Sequence, residues 1–127
     1  MNLSQKVFLQ NPEGKILAIR RSHTDPHRPL TWDLPGGIVE HGEDLIENIK
    51  RETLEEVGIM LENFSILGAL SALWLNGVYA IQIAYTALVE NPEILLSYEH
   101  DEYRWLTKEE FLELESTNKI KKFLQML

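Results

Sequence analysis

The chain has 127 residues, of which 44% are apolar and 25% charged, ordinary values for a globular protein with one hydrophobic core. It contains no cysteine, which excludes a disulfide framework and thiolate chemistry. The net charge of −8 predicts a surface that repels nucleic-acid backbones and anionic membranes. Such acidity is also common for solubility alone. A phosphate-bearing small molecule would still bind where metal cations screened the acidic groups.

No targeting or membrane-spanning segment is predicted. The first ten residues, MNLSQKVFLQ, lack an apolar run behind a basic start. No segment approaches the roughly 20 apolar residues that span a bilayer. We therefore expect one domain over residues 1–127 in the cytoplasm, with neither a membrane nor a nucleic-acid polymer as a partner.

The N-terminal third predicts a β-hairpin followed by a loop. The runs KVFLQ and KILAIRRS are β-rich, and the turn sequence NPEG separates them. Residues 23–31 are polar and interrupted by prolines, which predicts a loop. Residues 32–40 read as a short extended stretch broken by Pro35 and two glycines.

A helix is predicted from about Glu43 to Val57, and Gly58 is expected to end it. Residues at helical spacing are expected to form a core stripe along this helix: Ile46, Ile49, Thr53 and Val57, widened by Leu45 and Leu54.

The C-terminal half predicts a second hairpin, a further strand and two helices. Asn76-Gly77 joins two β-rich runs and favours a type I′ turn. Bulky residues alternate with smaller or polar ones along the second run, which predicts one buried face and one face of smaller or polar residues. The bulky residues are Tyr79, Ile81, Ile83 and Tyr85. YRWLT reads as a strand, Thr107 with Glu110 matches a capping box that opens KEEFLELE, and a terminal helix covers about 118–126. The predicted class is α/β, with a mixed β-sheet sandwiched between α-helices.

The predicted first helix carries three carboxylates on one side of its last turns. Glu52, Glu55 and Glu56 fall within about a 100° arc. Each faces the negative end of the helix dipole, at a cost of roughly 0.3–1 kcal/mol. Oxygen ligands at this density suit Mg²⁺ or Mn²⁺, whose charge would offset the repulsion. A solvated acidic face paired with Lys50 and Arg51 explains the pattern equally well.

Other residues can bind phosphate or a base. Gly36-Gly37 lets the backbone approach a ligand closely just before a helix N-terminus, although such a pair is more often only a tight bend. Three arginines are candidates for bidentate phosphate contacts, and a surface role is at least as common for each: Arg20, Arg21 and Arg28. The histidines form no zinc pattern. His23 and His27 fit loop positions that border a substrate, although simple loop residues are the more common case. Trp32 and Trp74 fit either stacking or core positions.

The spacing of these residues resembles the Nudix box, G-x5-E-x7-R-E-U-x-E-E-x-G-U, where U is bulky and aliphatic. The fixed positions are filled by Gly37, Glu43, Arg51, Glu52, Glu55, Glu56, Gly58 and Ile59. Thr53 departs from the pattern, because an aliphatic residue is usual there. The rest of the chain resembles the family more loosely, in strand order and length.

The Nudix resemblance implies a hydrolase that cleaves a nucleoside diphosphate linked to another group by water attack on a pyrophosphate phosphorus. It implies that Glu52, Glu55, Glu56 and the Gly36 carbonyl bind Mg²⁺ or Mn²⁺. It also implies that Glu43 and Arg51 orient the helix and loop through a salt bridge.

The same resemblance leaves three glutamates as candidates for the general base. Glu52 and Glu55 are two candidates. Glu99 lies six residues before Trp105, which resembles the loop glutamate of mutator-type members, and it is the third candidate as a base or extra metal ligand. Asp101 and Glu102 in the same segment fit solvated loop acids better. Gly37, Arg20 and Arg28 are the candidate substrate-binding residues.

The substrate is inferred by elimination. ADP-ribose hydrolases tend to have a proline about 16 residues past the box, where this chain has Leu75, and dinucleoside-polyphosphate hydrolases tend to have a tyrosine there, for which Tyr79 is too far. The first expectation is a mutator-type hydrolase that cleaves a nucleoside triphosphate to monophosphate and pyrophosphate. The alternatives are hydrolysis of ADP-ribose, another nucleotide sugar or a dinucleotide, a non-catalytic nucleotide sensor, and an acidic interaction domain without a ligand. A homodimer is possible, since homodimers are frequent in the family.

Overall fold

The computed structural model describes residues 1–73 and 76–127. Across these two ranges the chain forms strands β1 (Asn2–Gln10), β2 (Ile16–Arg21), β3 (Trp32–Asp33) and β4 (Gly36–Ile38), helix α1 (Leu45–Val57), strands β5 (Phe64–Leu73), β6 (Tyr79–Leu88) and β7 (His100–Leu106), and helices α2 (Lys108–Leu112) and α3 (Asn118–Leu124). In this part of the chain no helix has both the length and the apolarity needed to cross a membrane.

The strands form one mixed sheet in the order β3-β2-β1-β6-β5, with β4 paired to β1 and β7 paired to β2. β1 and β6 are parallel, whereas β1–β2, β2–β7 and β5–β6 are antiparallel. Successive residues of β1 face opposite sides of the sheet. Phe8 therefore packs with Phe111 and Phe123 of the C-terminal helices, while Val7 packs in the cluster that contains Ile49 of α1. The predicted mixed sheet with helices on both faces is confirmed.

Both predicted hairpins are present. The first is paired only at Gln10↔Ile16, because β1 then continues beside β4 and β6 instead of β2. The second has Leu73 opposite Tyr79. The predicted type I′ turn includes residues 74 and 75, so it lies outside the described residues, as do the predictions for Trp74 and Leu75.

The predicted core stripe of α1 is partly wrong. Ile49, Thr53 and Val57 are buried, but the apolar residues predicted beside them are largely exposed: Ile46 at 42%, Leu45 at 36% and Leu54 at 49%. The buried side of the helix instead includes Asn48 and Glu56, because the neighbouring β1 and glycine loop offer these polar groups hydrogen-bond partners.

The ends of the helices follow local signals. The carboxylate of Asp44 accepts hydrogen bonds from the Ile46 and Glu47 amides and starts α1, so Glu43 lies just before the helix. Gly58 ends α1 with a φ of +76°, a conformation that glycine adopts without strain. The predicted capping box of Thr107 and Glu110 opens α2, which ends at Leu112, and α3 ends at Leu124 rather than at residue 126.

The prediction for β6 also needs correction. Tyr85 is buried as expected, but Tyr79 is 46% exposed, and Ala80 and Ala84 on the other face are buried. Ala84 lies in the cluster that contains Phe123 of α3. Both faces of β6 are therefore covered, and the small alanine side chains on this face leave room for α3.

A buried polar network fixes α1 against the sheet. The Gln5 side-chain amide donates to the Leu45 carbonyl at 2.7 Å and to the Asn48 side chain at 2.9 Å, and it accepts from the Tyr85 hydroxyl. Asn48 in turn donates to the Ile38 carbonyl at 3.1 Å. Buried polar groups satisfied in this way specify a single arrangement of the elements that carry them.

We expect Asn48→Ala to lower the free energy of unfolding by about 2 kcal/mol, because it removes a hydrogen-bond partner from the buried Gln5 side chain and from the Ile38 carbonyl of β4. Urea unfolding measures this change. The control is Asn63→Ala at an exposed position, which should change stability by less than about 0.5 kcal/mol. Equal effects of the two substitutions would show that the network contributes nothing.

Candidate active site

The glycine loop, residues 34–38, lies between β1 and α1. Val7 donates its amide to the Pro35 carbonyl at 3.0 Å, and Lys6 is paired with Gly36. Gly36 has a φ of +142°, and a Cβ there would lie 1.9 Å from the Gln5 carbonyl oxygen. A Cβ on Gly37 would lie 2.7 to 2.9 Å from the carboxylate atoms of Glu52. Only glycines allow this loop to approach both neighbours so closely.

Glu56 is the most buried of the three helix carboxylates, at 8% exposure. Its Oε1 accepts a hydrogen bond from the Gly36 amide at 2.7 Å. Burial raises the pKa of Glu56 to about 8, against the opposing effect of the Lys6 ammonium. The glycine loop thus contacts Glu56 through the Gly36 amide. The Nudix resemblance had instead implied a role for the Gly36 carbonyl, as a metal ligand.

Arg51 binds the other acids of the helix. Its guanidinium lies 3.0 Å from Glu43, 3.2 Å from Glu52 and 3.1 Å from Glu55. The expected Glu43–Arg51 ion pair is therefore present, and hydrogen bonding to Glu43, with the further carboxylates, raises the pKa of Arg51. Glu52 is partly buried, and burial raises its pKa although the charge of Arg51 acts the other way. Glu55 is exposed.

The three carboxylates are neighbours, but they do not form a ready metal cluster. Over residues 1–73 and 76–127, no three acidic or histidine side chains converge at metal-binding spacing. The reason is that Glu56 is directed to the glycine loop while Arg51 holds Glu52 and Glu55. The donor chemistry still suits a hard divalent cation, because carboxylate oxygens lie on adjacent turns of α1. One of these carboxylates, that of Glu56, is buried and has no direct ion pair among the described residues. They lie beside Gly37, where an added Cβ would collide with Glu52.

The C-terminal acids follow a segment that contacts the end of α1, since the Ser97 amide donates to the Glu56 carbonyl at 3.1 Å. Glu99 is exposed, its carbonyl accepts from the Ser22 amide at 2.9 Å, and its side chain forms no three-member cluster with the helix glutamates in the described ranges. Asp101 and Glu102 pair with Arg20 at 2.8 and 3.6 Å. Arg20 is therefore already engaged by two carboxylates at the β2–β7 edge.

Arg28 lines an open cleft of about 470 Å³. The cleft is bounded by the β2–β3 loop, including His27 and Thr31, and by the segment from Glu115 to Asn118, the first residue of α3. Arg28 has no carboxylate within ion-pair distance in the described part of the chain. Of the two predicted substrate-binding arginines, Arg28 is the one with a free guanidinium beside a cleft.

Three buried ionisable residues near the glycine loop were missed by sequence reasoning: Lys6, Asp33 and His100. Lys6 is 9% exposed, and its Nζ lies 3.1 Å from Asp33. The only sequence signal was a lysine inside a β-rich run. His100 is also buried, and burial lowers its pKa to about 4. Trp32 packs in the core, so the core interpretation is correct for this tryptophan.

We expect the metal-free protein to lose about 2 kcal/mol of stability between pH 6.5 and 8. In this range the folded chain holds a proton on Glu56 that the unfolded chain, with a carboxyl pKa of 4.5, has lost, so rising pH favours unfolding. The raised pKa of Glu52 acts in the same direction. Between pH 4.5 and 6.5 the unfolded chain binds a proton on His100 that the folded chain does not, so the two effects cancel.

Urea unfolding at successive pH values, with a chelator present, tests this profile. In Glu56→Gln the loss above pH 6.5 should largely disappear, and stability should instead rise from pH 4.5 to 6.5 as His100 loses its proton in the unfolded state. An unchanged profile in Glu56→Gln would show that Glu56 titrates normally.

Comparisons with known proteins identify the family. The NUDIX domain family model matches residues 2–127. The crystal structure of a MutT protein from Methanosarcina mazei Go1 superposes with a TM-score of 0.85 at 32% identity, covering 98% of this chain and 90% of that one.

Curated relatives support the same assignment. Mouse bis(5'-nucleosyl)-tetraphosphatase [asymmetrical] is 38% identical over 100 residues, which are 74% of this chain and 67% of the mouse protein. Zebrafish m7GpppN-mRNA hydrolase NUDT17 is 40% identical over 68 residues, and this match spans about a quarter of that protein, 23%. Because the family model extends over almost every residue of the sequence, the chain belongs to the Nudix family of pyrophosphohydrolases.

Proposed function

We propose that this chain is a Mg²⁺-dependent pyrophosphohydrolase that cleaves a nucleoside triphosphate to a nucleoside monophosphate and pyrophosphate. The observation that carries the proposal is the contact between the glycine loop and α1. Glu56 binds the Gly36 amide at 2.7 Å, and the Glu52 carboxylate fills the space where a side chain on Gly37 would lie. The backbone of the glycine loop therefore lies beside the carboxylate oxygens of α1, an arrangement that suits the hydrolysis of a phosphate anhydride.

Nudix hydrolases generally use divalent metal ions, and the acids of α1 fit that role. Glu52, Glu55 and Glu56, with the carbonyl of Gly36, would hold the cation. When bound, a divalent cation neutralises the pyrophosphate charge and acidifies the attacking water. Arg51 would then keep its ion pair with Glu43 and release the other two glutamates, so that it continues to hold α1 against the segment before it.

The reaction forms a bond between a water oxygen and phosphorus and breaks the bond from that phosphorus to the bridging oxygen, which leaves on pyrophosphate. The water proton goes to a carboxylate. Among the three candidate bases, Glu52 is favoured because it lies against Gly37 and its burial raises its pKa, which makes its carboxylate a stronger proton acceptor. Glu55 and Glu99 are both exposed, whereas Glu52 is partly buried.

The cleft beside Arg28 fits the nucleoside end of the substrate. Its volume of about 470 Å³ is in the range of small-molecule sites. Thr31 of the cleft lies five residues before Gly36, so the chain separates the two by at most about 18 Å. The Arg28 guanidinium is available there for a phosphate or a base edge.

A second candidate function is hydrolysis of a dinucleoside polyphosphate. It is favoured by the 38% identity to the mouse bis(5'-nucleosyl)-tetraphosphatase over most of this chain. A non-catalytic sensor is less favoured, because all the acids of the Nudix box are present. A domain that only senses nucleotides would be expected to lack Glu55 or Glu56.

A substrate screen tests the proposal. The purified chain is incubated with Mg²⁺ or Mn²⁺ and one of four substrate classes: nucleoside triphosphates, dinucleoside polyphosphates, ADP-ribose or nucleotide sugars. Pyrophosphate products are converted to phosphate by inorganic pyrophosphatase, and monophosphate products by a phosphatase. The released phosphate is then measured. We expect cation-dependent turnover that is fastest with a triphosphate. Faster turnover of a dinucleotide would favour the second candidate, and binding without turnover in every class would favour the sensor.

A further inference from the structure

Four charged side chains form a continuous series of ion pairs behind the candidate active site. The Lys6 ammonium lies 3.1 Å from one oxygen of Asp33. The other oxygen of Asp33 accepts from Arg21 at 2.7 and 3.0 Å. Arg21 also donates to Asp25 at 3.0 Å. We call this series the charge chain.

The charge chain is buried enough for its geometry to matter. The side chains of Lys6 and Asp33 are 11% and 4% exposed, and those of Arg21 and Asp25 are 29% and 15% exposed. Buried ion pairs often contribute less stability than apolar side chains of similar volume, whereas loss of one partner is strongly destabilising. Stability alone therefore does not account for a lysine in the middle of β1.

One end of the charge chain holds the glycine loop. Lys6 donates to the Leu34 carbonyl at 3.3 Å, and the Asp33 carboxylate accepts from the Leu34 amide at 2.7 Å. Leu34 is followed directly by Pro35 and Gly36. The charged groups of Lys6 and Asp33 thus fix the backbone that leads to Gly36, whose amide contacts Glu56.

The other end holds the loop that lines the cleft. The carboxylate of Asp25 accepts from the backbone amides of His27 at 2.9 Å and of Arg28 at 2.7 Å. Both residues line the cleft. The charge chain is therefore a continuous physical connection between the cleft and the glycine loop.

We propose that Lys6, Asp33, Arg21 and Asp25 are positioning residues that hold the glycine loop and the cleft loop in one fixed relation, so that the phosphates and the nucleoside end of a nucleotide are bound in register. The proposal rests on the proposed function for its consequence in catalysis, but the coupling of the two loops is independent of it. Removing one end of the charge chain should loosen the loop at the other end.

The charges persist over the pH range in which the coupling would operate. Although burial opposes ionisation, Lys6 and Arg21 keep the pKa of Asp33 below its ordinary value. Hydrogen bonds from the backbone of Arg28 and His27 and from Arg21 lower the pKa of Asp25 to about 2. Both carboxylates are therefore charged at neutral pH, and the ion pairs remain intact.

A double-mutant cycle with hydrogen exchange tests the coupling without any ligand. Lys6→Met removes the charge at the glycine-loop end. Asp25→Asn removes the charge that pairs with Arg21 but retains an oxygen that can accept from the cleft-loop amides. Exchange is followed in peptides covering residues 25–31 and 34–38. If Lys6→Met does not fold, Asp33→Asn, which preserves the side-chain size, takes its place.

We expect each single substitution to speed exchange at least about threefold in the distant loop as well as in its own. The double mutant should show less than the product of the single effects. The matched control is Lys15→Met at an exposed lysine paired with Glu13, which should change neither peptide and should combine multiplicatively with Asp25→Asn. Effects confined to the mutated loop, or multiplicative effects in the double mutant, would overturn the proposal.

A kinetic readout connects the coupling to catalysis. With a triphosphate that the screen shows to be turned over, Asp25→Asn should lower kcat at least about threefold and not only raise KM, because the bound phosphates would be misaligned at the glycine loop. A rise in KM alone would contradict the positioning role. If no substrate is turned over, the proposed function fails, and the exchange experiment still decides the coupling separately.

Discussion

Glu56→Gln is expected to lower turnover at least about 100-fold while the fold stays intact. The amide oxygen of glutamine can still accept the hydrogen bond that the Gly36 amide now donates to the carboxylate at 2.7 Å. What is lost is a carboxyl group that can release its proton and bind a divalent cation as a carboxylate. Steady-state turnover and circular dichroism measure the two parts of this prediction.

The control for this prediction is Glu47→Gln, which removes an exposed carboxylate from the first turn of the same helix. It should leave turnover within about twofold of the unmodified chain. Comparable losses in both variants would indicate a general effect of helix charge. Full activity in Glu56→Gln would mean that the assignment of this glutamate to the metal is wrong.

Gly36→Ala is expected to have the largest effect on stability, a loss of about 3 kcal/mol or more. Its added Cβ would lie 1.9 Å from the Gln5 carbonyl oxygen, and its φ of +142° is strained for any residue with a side chain. Because the clash is with backbone, neither the glycine loop nor β1 can relieve it by a rotamer change. Thermal or urea unfolding measures the loss.

The comparison for Gly36→Ala is Gly42→Ala. Gly42 also has a positive φ, +82°, but a Cβ there would meet nothing within 4 Å. It should therefore lose only about 1 kcal/mol, from backbone strain alone. If the two alanine variants were equally stable, the close packing of the glycine loop against β1 would not be a constraint on the fold.

Local signals predicted most of the framework that positions the site. The capping box at Thr107, the glycine that ends α1 and the hairpin sequence at residues 11–14 act over a few residues, so a pattern in the chain is sufficient to identify them. The resemblance to the Nudix box implied a salt bridge between Glu43 and Arg51, and the pair is present at 3.0 Å.

The burial of polar side chains could not be predicted in the same way. Periodicity assigned Leu54 to the core and grouped Glu56 with the other acids on one side of the helix, yet the leucine is 49% exposed and the glutamate is 8% exposed. The difference arises from partners distant in sequence, since the Gly36 amide satisfies Glu56 and Gln5 satisfies Asn48. Lys6 was missed for the same reason, because its partner Asp33 is on another strand.

The proposed metal site was predictable only in part. The arc of carboxylates was readable from helical spacing, but the state of each carboxylate depends on its contacts. Arg51 holds two of them at 3.1 and 3.2 Å, and the glycine loop holds the third. Binding of a cation is therefore expected to require a change of partners by Glu52 and Glu55, which helix geometry alone does not predict.

The most direct measurement is anomalous scattering from a crystal of this chain soaked in Mn²⁺. We predict a manganese ion bound jointly by Glu52, Glu55 and Glu56 beside the Gly36 carbonyl, with the Arg51 guanidinium displaced from Glu52 and Glu55 and still paired with Glu43. A crystal without anomalous density there, in which Arg51 keeps both contacts, would contradict the account.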